Sequence, residues 1–258
     1  MFSKFSFSVY YIAARRCGAT PVEAPDNDYA TNVDALLAAV TRKTRVVFLA
    51  NPNNPTGTFM PREELERLHA GLPSDVLLVV DQAYAESLAP GEDDGGLHLA
   101  AAHDNVLVTR TFSKAYGLAG MRVGWGLFPP EIAREVRKVM NPNNITIAGQ
   151  TAAKAALMDQ SYMRDTCRKT TRLRDRLRRR LQQAGLDVPE SFTNFILIRM
   201  GSPDAAHHAN EALRAEGVFL RPQGGVGLAD SLRMTIGPAD DIDIAAGLLE
   251  RWAEGKKT

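Results

Sequence analysis

An open α/β sheet followed by a small α+β domain is the fold class this sequence predicts. Three observations carry it. Short apolar runs at residues 46–50, 76–80 and 106–108 alternate with stretches of helical periodicity. Polar segments rich in asparagine, proline and glycine follow those runs, at the strand ends where open α/β sheets place their ligands. After Gly185 the pattern changes to short strands and two helices. The expected division is a large domain over residues 1–160 and a small one over 161–258, the latter including a long connecting helix.

Bulk properties narrow the function classes. The chain has 258 residues, 45% of them hydrophobic, enough for one large core or two modest ones. A formal net charge of +1 speaks against a protein built to bind nucleic acid or an anionic surface. The two cysteines, Cys17 and Cys167, match no disulfide or metal spacing, so a reducing cytoplasm is the expectation. No apolar run reaches the roughly 18 residues that a membrane span requires.

The elements follow in order. Residues 9–16 predict a helix and 18–24 a strand. Arg15-Arg16 comes after the apolar stretch, the reverse of a signal peptide, so this region reads as an internal piece of a domain. Residues 32–41 predict a helix through Val33, Leu36, Leu37 and Val40, with Asn32 as its cap. The run 46–50 is a buried strand, and Asn51-Pro-Asn-Asn-Pro-Thr-Gly57 after it is irregular. A helix begins near Pro61, with Glu63, Glu64 and Glu66 near its positive end. The run 76–80 is a strand ending in Asp81, and 106–108 is another. Residues 91–96 are an acidic, glycine-rich loop. Residues 121–128 predict a strand, and 130–140 and 145–158 helices.

Residues 162–184 form one long helix, with Leu173, Leu177, Leu181 and Ala184 as its apolar stripe. Between Arg164 and Arg180 stand nine basic and two acidic residues. No aromatic residue interleaves them, so a solvated face with apolar stems lying on the domain is preferred over a nucleic-acid surface. Strands are then expected at 194–198, 218–220 and 232–236, and helices at 204–216 and 240–253. The five histidines show no ligand spacing, and Gly224-Gly-Val-Gly227 matches no dinucleotide or phosphate-loop pattern.

The chemistry centres on Thr109-Arg-Thr-Phe-Ser-Lys-Ala-Tyr-Gly-Leu-Ala-Gly-Met-Arg-Val-Gly-Trp125. Lys114 sits among hydroxyls and glycines just past a buried strand. A lysine so placed suits a Schiff base with a carbonyl cofactor, and pyridoxal phosphate has needs that this sequence meets at strand ends. Lys114 is the aldehyde partner and later the proton-transfer base. Asp81 ends a buried strand, where a charge is costly unless paired, and a pyridinium nitrogen would pair it. Asn54 and Tyr84 lie just past two neighbouring strands, placed for the ring oxygen. Thr111, Ser113 and Arg122 surround the lysine and suit a phosphate.

Four segments also carry a family resemblance over essentially the whole chain. Asn51-Pro-Asn-Asn-Pro-Thr-Gly57, Val79-Val-Asp-Gln-Ala-Tyr84, Thr111-Phe-Ser-Lys-Ala-Tyr-Gly-Leu-Ala-Gly-Met-Arg122 and Leu232-Arg-Met-Thr-Ile-Gly237 resemble the fold-type I aminotransferases, and more narrowly the histidinol-phosphate aminotransferases. The resemblance implies a mostly parallel large-domain sheet, pyridoxal 5'-phosphate as cofactor and a homodimer. The implied substrates are an amino acid or amino alcohol phosphate and 2-oxoglutarate. It implies that Lys114, Asp81 and Tyr84 form the catalytic group, and that Asn54, Thr111, Ser113 and Arg122 complete the cofactor site. Arg233 would take the substrate carboxylate, with Arg221 on the substrate phosphate. Phe7, with Tyr10 as rival, lies near the position of an aromatic residue stacked on the cofactor ring.

Two departures stand out. Gln82 occupies a position where this subgroup usually has Glu. Family chains also begin well before this one, so the large domain is expected to be incomplete at its N-terminus. Two other readings stay open on sequence: an aromatic amino-acid aminotransferase of the same fold, and a truncated, non-catalytic chain that binds a partner subunit.

Overall fold

The computed structural model describes residues 1–89 and 91–255. Its first sheet has six strands: β1 (Phe2–Ser3), β2 (Glu23–Ala24), β3 (Val46–Ala50), β4 (Leu77–Asp81), β5 (Val106–Thr111) and β6 (Gly124–Leu127). Their spatial order is β2-β1-β3-β4-β5-β6. All neighbours are parallel except β5 and β6, where Thr111 pairs antiparallel with Gly124. Registers align the functional ends: Ala50 lies beside Asp81, and Asp81 beside Thr109. The helices of this part are α1 (Val9–Arg16), α2 (Val33–Ala38), α3 (Arg62–Gly71), α4 (Gly96–Ala102), α5 (Pro130–Val139) and α6 (Ile147–Met158).

One face of the sheet is covered by α2, α3 and α4. Leu36, Leu65 and Leu68 are fully buried there against Val47, Leu78 and Val106. Each such leucine contributes about 1.5–3 kcal/mol on leaving water. The helix starts follow their sequence signals. Asn32 accepts a 3.0 Å hydrogen bond from Ala35 N, and Thr146 one of 3.0 Å from Gly149 N, caps worth about 1 kcal/mol each.

The long helix α7 (Gln160–Gln183) leads to a second sheet of β7 (Phe195–Arg199), β8 (Arg221–Gln223) and β9 (Leu228–Thr235), antiparallel in the order β7-β9-β8. Helices α8 (Pro203–Ala215) and α9 (Ala239–Gly255) complete it. Leu177, Leu181, Ile196, Ile198, Leu213 and Leu249 belong to a core separate from that of the first sheet. The basic face of α7 is mostly exposed, with Arg164, Arg168, Lys169, Arg172, Arg176 and Arg179 toward solvent, and its remaining arginines reach other segments. Arg180 binds Glu250 at 2.6 Å and Asp243 at 3.1 Å on α9, while Arg174 and Arg178 donate to the carbonyls of Thr193 and Val188. The solvated face expected from sequence is present and the apolar stripe packs on the domain, while Arg174, Arg178 and Arg180 act as clamps.

Three local expectations need correction. The strand expected at 18–24 is only Glu23–Ala24, because Gly18 turns left-handed at φ 71° after α1. The strand expected at 218–220 begins later, so Arg221 lies in β8 itself. Helix α4 was not anticipated: its seven residues follow the glycine-rich loop without a charged or periodic signal. Strand β1 is two residues long and equally silent in the sequence. Among the described residues no helix is long and apolar enough to cross a membrane.

Candidate active site

The polar groups named from sequence gather where the C-terminal ends of β3, β4 and β5 face the second sheet. Asp81 closes β4. Its Oδ2 accepts a 2.8 Å hydrogen bond from the hydroxyl of Tyr10, its Oδ1 accepts from Ala83 N at 3.2 Å, and Thr109 beside it adds a side-chain hydrogen bond. Burial raises the Asp81 pKa above the usual carboxylate range, while these donors and the nearby Lys114 charge pull it back. Tyr10 is itself buried, stacked on Phe48 at 4.9 Å. Its hydroxyl is committed to Asp81, so of the two rival aromatics it is Phe7 that remains available. Phe7 is 37% exposed and meets Tyr10 edge-on at 5.8 Å.

Lys114 sits in the irregular segment after β5. The turn closes through Gly117 N donating to Lys114 O at 2.9 Å, with Gly117 left-handed at φ 70°. Its side chain is exposed, and the amine stands 5.3 Å from the centre of the Tyr84 ring. Burial, then the charges of Arg233 and Arg122, lower its pKa, opposed by Asp81. Tyr84 packs perpendicular to Phe195 at 5.5 Å, and burial pushes its hydroxyl up to about 12, so it stays a proton donor at neutral pH.

The phosphate candidates are close in sequence but less converged. Thr111 Oγ1 accepts from Ser113 N at 3.0 Å. Arg122 is exposed, donates to Ala119 O at 2.8 Å, and takes a left-handed backbone at φ 56°. A non-glycine residue there costs about 1–2 kcal/mol, the kind of strain found at functional sites.

The second sheet supplies the opposite wall. Arg233 lies on β9 directly across from Arg221 on β8. Its Nη1 donates to Asn54 Oδ1 at 2.6 Å, and its guanidinium carbon stands 4.8 Å over the Phe195 ring. Its Nε is buried with no hydrogen-bond acceptor. Burial and the Arg221 charge lower the Arg233 pKa. A cavity between the sheets is lined by Ser6, Phe7, Ser8, Asn54, Arg221 and Arg233. Gly57 fixes one seam of that junction: at φ 79° it lies so close to Ser191 that any Cβ would meet Oγ at 2.5 Å.

Gln82 is buried one residue past Asp81 and points away from the cavity. Its amide donates to Asp94, and its Oε1 accepts from Arg110 at 2.8 Å. The residue therefore tunes the scaffold behind Asp81. Sequence reasoning missed Tyr10 and Thr109 as partners of Asp81, and Phe195 as the platform under Arg233. Thr109 was recoverable, since it opens the lysine motif and pairs in register with Asp81.

A lysine and an aspartate at the C-terminal edge of the mostly parallel sheet face a pair of arginines on the antiparallel one, an arrangement suited to a carbonyl cofactor and an anionic substrate. The chain belongs to the aminotransferase class I and II family, whose model matches residues 1–249. It is 56% identical over 258 residues to the histidinol-phosphate aminotransferase of Erythrobacter litoralis, covering 98% of this chain and 70% of that protein. The enzyme of that name from Zymomonas mobilis is 50% identical over 96% of this chain and 68% of its own length. Among solved structures, histidinol-phosphate aminotransferase from Sinorhizobium meliloti in complex with pyridoxal-5'-phosphate matches with a TM-score of 0.92 and 32% identity, over 99% of this chain and 70% of that one.

Proposed function

We propose that this chain is a pyridoxal-phosphate aminotransferase that exchanges an amino group between L-histidinol phosphate and 2-oxoglutarate. The observation that carries the reading is the facing pair Arg221 and Arg233, opposite Lys114 and beside Asn54. Two adjacent cations suit a substrate with two anionic groups, or with one phosphate. The relatives' shared name supplies the particular substrate.

The residues fit the cofactor. On the substrate side, the buried Arg233 Nε lacks an acceptor, which a carboxylate of 2-oxoglutarate would provide. Pyridoxal phosphate, when bound, supplies an electron sink that labilises the Cα proton. Asp81 is oriented by Tyr10, Ala83 and Thr109 to present a carboxylate to a ring nitrogen. Asn54 gives its oxygen to Arg233, which leaves its amide nitrogen as a donor for the ring oxygen. Tyr84, protonated at neutral pH, is a second donor. Lys114 has a lowered pKa and is more readily neutral, as attack on a carbonyl and later proton transfer both require. Ser113, Thr111 and Arg122 would take the cofactor phosphate, and Phe7 would cover the ring. Arg233 would hold the substrate carboxylate and Arg221 the substrate phosphate. Residues 1–160 would form the cofactor-binding part and 161–258 the small domain, in a cytoplasmic homodimer.

The test is a comparison of Arg221→Ala with the parent on two amino donors. The reading expects the catalytic efficiency with L-histidinol phosphate to fall about 10- to 100-fold, the worth of one charge-assisted contact, while an aromatic amino acid is little affected. Equal losses on both donors would remove Arg221 from phosphate recognition.

A further inference from the structure

The segment Asn27–Ala30 closes on itself: Asn27 and Ala30 exchange backbone hydrogen bonds of 2.9 Å in both directions. The two residues between them, Asp28 and Tyr29, both have positive φ, 42° and 68°. This is a tight turn that Asn-Gly or Gly-Gly would make without strain, and a tyrosine there is costly. Backbone ease therefore did not choose these residues, and their side chains show what did. The Tyr29 ring stacks on Phe5 at 5.4 Å on one side and on the Arg199 guanidinium at 3.9 Å on the other. Its hydroxyl is hydrogen-bonded to Ser231, the residue paired with Arg199 across β7 and β9.

Both ends of this stack lead somewhere. Phe5 is clamped through its backbone: its N–H donates to Asp26 Oδ2 at 2.7 Å, and its carbonyl accepts from Asn53 Nδ2 at 2.7 Å. Two residues on stands Phe7 in the cavity wall, and Asn53 is the neighbour of Asn54. Arg199 terminates β7 of the second sheet, the sheet that carries Arg221 and Arg233. Its ion pairs with Asp28 at 3.0 Å and Asp187 at 3.4 Å involve carboxylates that are 77% and 61% exposed, so the charges contribute little. The ring face on a mostly buried guanidinium is the stronger contact. The Arg199 Nε is buried without an acceptor, a cost that placement by the ring face leaves in place.

We infer that Tyr29 is a positioning residue: the Phe5–Tyr29–Arg199 stack couples the place of the second sheet to the loop bearing Phe7, and so sets the gap between Arg233 and the cofactor side of the cavity. The consequence for substrate rests on the aminotransferase reading above, but the coupling itself does not.

Hydrogen–deuterium exchange on the full chain without cofactor reads the coupling. Arg199→Ala removes nothing that touches Phe5, yet exchange at the Phe5 amide is expected to accelerate about fivefold or more, the lower end of coupling between sites. Tyr29→Gly is expected to do the same although it relaxes the turn, and it serves should Arg199→Ala fail to fold. Tyr29→Phe keeps the ring and is expected to stay close to the parent. Unchanged Phe5 exchange in Tyr29→Gly overturns the proposal, as does an equal rise in Tyr29→Phe. With pyridoxal phosphate and 2-oxoglutarate added, Arg199→Ala and Tyr29→Gly are expected to weaken the apparent dicarboxylate affinity about tenfold and to leave the visible absorbance of lysine-bound cofactor intact. An intact band with unchanged affinity refutes the positioning role in substrate binding. No band in the parent refutes the cofactor reading instead and leaves the exchange result standing.

Discussion

Asp81 and Arg233 are both partly buried charges on strands that meet at the junction of the two sheets, and the structure treats them in opposite ways. Asp81, on the six-stranded sheet, has donors from Tyr10, Ala83 and Thr109. Arg233, on the three-stranded sheet, has one hydrogen bond to Asn54, an aromatic ring beneath it and an unpartnered Nε. A buried donor left unmade costs about 1–3 kcal/mol. Asp81 is thus held in place before any ligand arrives, while Arg233 is left for a ligand to finish. Preorganisation belongs where one group stays through every turnover, and an open valence belongs where substrates exchange.

The contrast breaks first at Lys114. Lys114→Ala is expected to abolish both the visible absorbance band with pyridoxal phosphate and transamination, measured by spectroscopy and a coupled assay. Next comes Asp81→Asn, expected to weaken cofactor binding by about 2–5 kcal/mol as a charge pair is lost, measured by equilibrium titration. Arg233→Met is the sharper probe, because its two effects have opposite signs. Carboxylate affinity should fall about 10- to 100-fold, while the chain without ligand should gain stability in urea, since a buried unsatisfied donor is gone. Tyr10→Phe should cost about 0.5–1.5 kcal/mol of stability and raise the Asp81 pKa further, read by carboxylate titration in NMR.

The smallest effect is a pH dependence. The folded Lys114 pKa lies below its ordinary 10.5, so the unfolded chain binds more protons in the window between the two values. The contribution of Lys114 to stability therefore rises with pH through that window. Lys114→Met should flatten that rise, as followed by urea midpoints at alkaline pH.

Much of the first sheet was legible in the sequence. Continuous apolar runs gave β3, β4 and β5, and their terminal residues gave Asp81 and the lysine turn. Two-residue strands such as β1 and β2 carry no periodicity, so partners rather than sequence define them. Helix α4 escaped because Gly96 begins it and no cap precedes it. In the site, the residues were readable but their pairings were not. Arg233 and Asn54 are 179 positions apart, and only the docking of one sheet on the other brings them to 2.6 Å. Tyr10 resembled a ring-stacking candidate, and its burial against Phe48 turned it into a donor for Asp81. The basic run on α7 is a largely solvated face as its composition indicated, but the clamps made by Arg180, Arg174 and Arg178 were unreadable because their acceptors, Glu250 and the Thr193 and Val188 carbonyls, lie in later segments.

The central claim is that Lys114 bonds the aldehyde of pyridoxal phosphate in a cradle that Asp81 completes. Titrating the full chain with pyridoxal phosphate, while recording its visible spectrum and that of Lys114→Ala, tests it most directly. A saturable band that appears in the parent, vanishes in Lys114→Ala and shifts when L-histidinol phosphate is added is the expected result. No band in the parent, or one that survives loss of the lysine, would contradict it.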